Sequence, residues 1–491
     1  MAFNSIEFLV FLPTVLVLYY FMPFRFRWVV LLAASYFFYM SWKPIYALLL
    51  LGTTVVAYAG GLFIQRTEDA RARNGILLSC LLALLGVLFV YKYFNFFNDT
   101  FRAIAQAIRM PYAVPSIDVV LPLGISFFTF QKVAYLVDVY RRTVTAEHHF
   151  GRFALFAAYF PQLVAGPIER AKNLLPQLSK DVRFESSTVM SGLSLVAWGM
   201  FKKVVVADRL AVIVNTIYDS PQNFGGISLV FATVCFAFQV YCDFSAYSDI
   251  AIGAARTMGV KLTDNFRYPY FSLSISEFWK RWHISLSTWL TDYVYTPLTR
   301  SAIPLRWYPK FLLSLLLTFL VSGLWHGANW TFVAWGALHG TYLVCSVATQ
   351  SLRGKFVRAT GLARVPKIHS ALRMAMTFSL VCLSYVFFRS ASLTDALYIV
   401  THSFDGWASA DVQEVIGKLA VSGGVPNLAF AVLGVLTVVG VDANARFGTP
   451  VREWRIPAIR VAWPAYYLVV LSMVVLGALY GTSQTFIYFQ F

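Results

Sequence analysis

The feature that most constrains this chain is a succession of about a dozen apolar runs joined by short, mostly basic connectors. The runs lie near 7–23, 28–42, 45–64, 76–97, 117–138, 188–217, 227–255, 311–325, 330–349, 374–388, 426–442 and 463–481. One helical crossing of a bilayer needs about 20 apolar residues, so the length allows many. Hydrophobic residues make up 58% of the chain and charged residues only 13%, whereas soluble domains carry about 25% charge. No soluble core hides that much apolar surface. Lipid is therefore the solvent for most of the chain, which reads as an all-α polytopic membrane protein.

The net charge of +17 raises nucleic acid as a partner, but its distribution argues for topology. Six connectors (Arg25 and Arg27; 66–73; 141–183; 256–310; 353–373; 446–460) hold 30 of the 40 Lys and Arg residues. Placing all six inside puts the N-terminus outside, by the positive-inside rule. The opposite loops, such as 98–116 and 389–425, are poor in base. The first twenty residues have no basic lead and no small-residue cleavage site, so they read as an uncleaved first span. Five widely spaced cysteines all fall in apolar runs and read as small buried hydrophobes rather than a disulfide or metal framework. With no internal repeat and no segment large enough to fold alone in water, residues 1–491 read as one integral-membrane domain, its core motifs within 120–345.

Two inside connectors are unusual. Residues 150–178 mix apolar residues with Pro161, Gly166 and Pro167, too broken to span, which predicts a re-entrant or interfacial segment. Residues 275–295 put Ile275, Phe278, Trp279, Trp282, Leu286, Trp289, Leu290 and Tyr293 on one face of a 3.6-residue helix, with Ile284 the one misfit. Glu277, Lys280, Arg281, Thr288 and Asp292 take the other face. That pattern predicts one amphipathic helix at, or wedged into, the membrane surface. It places His283 at the border of the two faces, in reach of both interior and water.

Ionisable groups at membrane depth cost about 2.5–3.5 kcal/mol each at a helix centre on insertion scales, so they are paired or functional. The candidates are Lys132, Asp138, Lys202, Lys203, Asp208, Arg209, Asp243, Asp249, His326 and His339. His326 stands in SGLWHGANW, where Gly323 and Gly327 predict an interrupted helix and Asn329 lies three residues on, on the same helical face. A neutral imidazole titrating at about 6.5 suits a base for a hydroxyl; a histidine bridging two helices by one hydrogen bond is the other reading. His339, between Gly336 and Gly340, reads as packing. The Lys202–Arg209 charges read as an ion-pair network or a helix end. Asp243 and Tyr247, one turn apart in YCDFSAYSD, either line a path or glue helices. His148 and His149 read as solvated. There is no Walker-type loop, GxSxG elbow, HExxH or Cys/His metal spacing.

Taken in order, the motifs resemble those of the membrane-bound O-acyltransferases, within them the bacterial branch that contains the alginate O-acetyltransferase membrane subunit. They are FLVFLP at 8–13, YKYFNFF at 91–97, LPLGISFFTFQ at 121–131, YFPQLVAGPIER at 159–170, FKKVVVAD at 201–208, DFSAYSDIAIG at 243–253, SISEFWKRWHISLSTWL at 274–290, SGLWHGANWTFVAWGALHG at 322–340 and FIYFQF at 486–491. The resemblance implies a ring of about 11–12 transmembrane helices, with re-entrant and interfacial amphipathic helices around a central tunnel. It places the family's invariant histidine on His326 and its second polar position on His283, both catalytic. It also implies a bacterial inner-membrane location with a periplasmic N-terminus, and acetyl-CoA as a cytoplasmic acyl donor rather than a permanently bound cofactor. The implied partner is a periplasmic, SGNH-type polysaccharide O-acetyltransferase. Asn329, Asp243, Tyr247, Lys280 and Arg281 are the candidates for donor or substrate binding.

Two departures stand out. Ala246 replaces the usual glycine of DFSGYSD, and TPLTRSAIPLRW follows Tyr295 in place of a Gly-Gly-Asn turn. Acceptors open on this reading are an alginate-type exopolysaccharide, cellulose and peptidoglycan. A transporter or flippase is the rival from another class, although internal symmetry, common in transporters, is absent.

Overall fold

The computed structural model describes residues 1–407 and 424–447, together with Phe486 and Ile487. The apolar run 463–481 and the end of the terminal FIYFQF motif lie outside the described residues. The regular structure of those described is all helical, without a strand among them. Among the described residues eight helices are long and apolar enough to cross a membrane: Tyr46–Arg66, Ala70–Ala107, Ser186–Tyr218, Gly226–Thr257, Trp307–His326, Trp330–Ala348, Pro366–Arg389 and Leu428–Phe447. Ile6–Phe21 is a shorter apolar helix. Their outward residues are apolar, with Leu48, Leu82, Met376 and Leu436 each at least 61% exposed. That inverts the soluble rule and matches a lipid-facing surface.

The chain divides into two compact units, Met1–Val196 with Tyr247–Thr263, and Ala197–Ala246 with Asp264–Phe491. In the first unit the broken connector 150–178 forms the helices Phe150–Ala158 and Ala171–Leu178. The non-helical turns between them are buried. Their polar groups are met inside: Gln162 Nε2 donates to the Phe156 carbonyl at 2.9 Å, and Glu169 accepts the Thr263 N–H. Irregular backbone at this depth survives only when protein covers it. Burial raises the Glu169 carboxyl above its usual range, against the pull of the Thr263 and Arg170 N–H groups. The buried Lys132 donates to Thr53 Oγ1 at 2.7 Å and to the Leu50 carbonyl at 3.2 Å, with its ammonium 4.4 Å from the Phe128 ring centre.

In the second unit Trp307–His326 packs on Trp330–Ala348 by backbone contact. A Cβ on Gly336 would fall on the Phe319 carbonyl oxygen, and one on Gly323 would fall on that of Phe332. Small residues let membrane helices approach this closely.

The charge run at 202–209 is an ion-pair network, one of the two outcomes expected of it. A π-helical turn, Lys202–Ala207, presents Lys203 Nζ to Asp243 at 2.6 Å and Asp208 at 2.9 Å, and Lys202 Nζ to Ser245 at 2.7 Å. Asp243 spends its second oxygen on the Ile487 N–H at 2.6 Å. Here Asp243 is glue between segments of one unit.

Candidate active site

The segment expected to be one amphipathic helix over 275–295 is instead broken. Ile275–Trp279 and Ile284–Leu290 are separate helices, and a π-helical turn, Thr291–Tyr295, follows. The first is started by a capping pair: Ser274 Oγ accepts the Glu277 N–H at 3.1 Å, and Glu277 accepts the Leu273 N–H at 2.8 Å. The break comes from a backbone pairing that periodicity does not register. Arg267 N–H donates to the Arg281 carbonyl and Ile284 N–H to the Asn265 carbonyl, both at 2.9 Å. To meet this partner the chain turns at His283 into the left-handed region, φ 44° and ψ 54°, a conformation rarely held by residues other than glycine outside functional or tightly constrained sites.

That turn moves His283 from its expected border position to complete burial, 0% exposed. The polar face still points outward, with Lys280, Thr288 and Asp292 exposed, while Trp279, Trp282 and Trp289 are buried in protein. Arg281 donates to Glu277 at 2.7 Å and to the Arg267 carbonyl at 3.3 Å. The structure thus places Arg281 in the scaffold of the turn and Lys280 in the open.

Asn265, which the motif reading missed, orients His283. It lies 18 residues upstream, in a loop with no periodic signal. Its Oδ1 accepts the Ser285 N–H at 3.2 Å and the Ser285 hydroxyl at 2.9 Å, and it lies 3.1 Å from His283 Nδ1. A backbone N–H can only donate, which identifies the amide atom as oxygen. His283 Nδ1 therefore carries the proton, leaving Nε2 as the acceptor. Burial pushes the imidazole down to about 3, so the ring is neutral at physiological pH.

His326 is the last residue of Trp307–His326; Gly327 ends the helix in extended backbone, and a new helix starts at Trp330. The interruption expected from the glycines is present, but Asn329 is not on a shared helical face with His326. It caps the next helix, accepting the Thr331 N–H at 3.0 Å and donating to the Ala391 carbonyl at 3.3 Å. His326 is 4% exposed, walled by Trp325, Trp335 and Phe388 with ring centres at 4.8, 4.9 and 5.2 Å. Its ring centre is 6.5 Å from that of His283, and Trp325 stands 5.6 Å from His283. Two histidines 43 residues apart in sequence are thus brought together at two helix breaks.

His339 contrasts with them. Its Nδ1 accepts the Trp279 indole N–H at 3.2 Å, and its Nε2 pairs with the Ser384 hydroxyl at 2.9 Å. Both nitrogens are used by the scaffold, as packing requires. Asp243 belongs to the second unit and is engaged by Lys203, whereas Tyr247 lies in the first unit, buried and stacked on Phe3 at 4.5 Å.

The described residues thus form a polytopic helical protein in which two buried histidines, His283 and His326, come together at two helix breaks. The chain belongs to the membrane-bound O-acyltransferase family, whose model matches residues 142–387, and it is an O-acyltransferase. Among its relatives is a probable alginate O-acetylase AlgI of Pseudomonas aeruginosa, 38% identical over 84% of this chain and 77% of that protein. The protein of the same name from Pseudomonas putida is 35% identical over the full length of both. A peptidoglycan O-acetyltransferase of Helicobacter pylori is 35% identical over 76% of this chain and 72% of that protein.

Proposed function

We propose that this protein transfers an acetyl group from a cytoplasmic thioester, acetyl-CoA, across the bacterial inner membrane for O-acetylation of an extracellular polysaccharide, alginate-type in the first instance. The observation that carries the reading is the facing pair His283 and His326, each at a helix break and each buried. Full-length similarity to the Pseudomonas protein supports the polysaccharide acceptor. The Helicobacter relative gives peptidoglycan a specific claim as the second choice. The basic connectors support a cytoplasmic face for the donor and a periplasmic N-terminus. A periplasmic, SGNH-type transferase completes delivery to the polymer.

In this mechanism His326 accepts the proton of the attacking hydroxyl as its oxygen bonds to the thioester carbonyl carbon. The carbon–sulfur bond then breaks, and the imidazolium returns the proton to the departing thiolate. Asn329 has committed its side chain to capping, which moves oxyanion stabilisation to backbone N–H groups of the break. His283, neutral and with Nε2 as acceptor, orients a donor or hydroxyl hydrogen rather than supplying a proton.

The test is acetyl transfer or thioester hydrolysis by the purified protein in detergent, with acetyl-CoA as donor. Release of CoA thiol above a protein-free control is expected. A transporter releases none, and that outcome would sink the proposal.

A further inference from the structure

A cleft in the first unit lies at the start of the helix Phe24–Met40. Four cations line it: Arg25 and Arg27 from that helix's first turn, Arg152 from Phe150–Ala158, and Lys180 just beyond Ala171–Leu178. Among the described residues no carboxylate lines it. Topology explains why basic residues lie on one side of a membrane. It does not explain why residues from three segments, up to 155 positions apart, converge on one concavity.

The four differ in what holds them. Arg27 is structural, donating to the Met22 carbonyl at 3.1 Å and to the Val182 carbonyl, with Asp181 at 3.5 Å. Arg25, Arg152 and Lys180 have no carboxylate within ion-pairing distance among the described residues. Their charges are available to a ligand, and the opening turn of a 17-residue helix adds its positive end. Tyr19, Trp28, Gln177 and Ser179 also line it.

The geometry points to a binding site for the phosphate of an anionic phospholipid headgroup. Exposed apolar side chains on the helix that opens the cleft favour lipid over a soluble phosphate ester. Phe24, in the lining, is 39% exposed, and Phe26 and Val29 of the same helix are 46% and 42% exposed. Acyl chains can lie along that helix while the phosphate meets the cations. Basic pockets between membrane helices suit such headgroups, at about 1 kcal/mol per basic residue near the surface.

The test uses the full-length protein, delipidated in detergent and titrated with phosphatidylglycerol or phosphatidylcholine, with bound lipid counted by native mass spectrometry. Phosphatidylglycerol should be preferred. Arg152→Gln with Lys180→Gln should weaken it on the order of tenfold, while Arg152→Lys with Lys180→Arg keeps the preference. Arg25→Gln, at an exposed position, gives an independent reading should the double variant fail to elute as a single species. A wild type without preference, or neutralised variants that keep it, overturns the site. Displacement by inorganic phosphate or free CoA at matched occupancy overturns the lipid assignment in favour of a soluble phosphate.

Discussion

His339 and the pair His283 and His326 occupy the same unit, all nearly or fully buried among aromatic rings, yet their surroundings differ in kind. His339 sits inside an unbroken helix between two glycines that bring a neighbouring helix into backbone contact, and both its nitrogens serve that packing. His283 and His326 sit where helices stop, one in left-handed backbone and one before an extended glycine. Burial alone therefore does not distinguish these histidines; the state of the backbone does.

The largest expected effect comes from His326→Ala. With the protein still inserted, acetyl transfer should fall by about 10²–10⁴-fold, the usual scale of a general base. Normal transfer by this variant would remove the distinction drawn here between the two kinds of histidine. Asn265→Ala comes next, because it frees His283 to take the wrong tautomer and leaves the Ser285 N–H without its acceptor. A loss of one buried partner is worth about 1–3 kcal/mol, or roughly 5- to 150-fold in rate. The loss should appear in kcat more than in KM; a change confined to protein yield would make Asn265 merely structural.

Acid should sharpen the comparison further. His283 resists protonation down to about 3, whereas a free imidazole takes its proton at about 6.5. Between those values the unfolded chain binds a proton that the folded chain refuses, so His283 makes stability fall as pH falls through that window and has no effect above it. At pH 5 this is roughly 2 kcal/mol. Melting temperatures of wild type and His283→Asn should run parallel above pH 7 and diverge below it, with the wild type losing more. The smallest effect belongs to His339→Gln, which keeps one acceptor and one donor. It should cost about 1 kcal/mol in thermal stability and leave turnover per folded molecule unchanged. Lost turnover at full stability would place His339 with the working histidines.

Much of this was legible in the residues. Apolar runs bounded by basic connectors report a lipid solvent directly, because length and hydropathy are local properties. The glycines flanking His326 foretold the helix end, and those flanking His339 foretold its close packing. Four readings needed the tertiary structure: the break within 275–295, the burial of His283, the orienting role of Asn265, and the capping role of Asn329. In each, a backbone or side-chain group pairs with a segment that local pattern cannot name. The amphipathic periodicity of 275–295 was real, and its polar face does point outward. Hydrogen bonds from 265–267 outweighed the helix that periodicity favoured, since every buried N–H and carbonyl at that depth must find a partner.

By itself, then, the sequence determined the solvent and the class of fold, and it put His326 forward as the candidate base. The tertiary structure decided which groups face that histidine and in which protonation state, because those depend on distances between segments that the chain order leaves open.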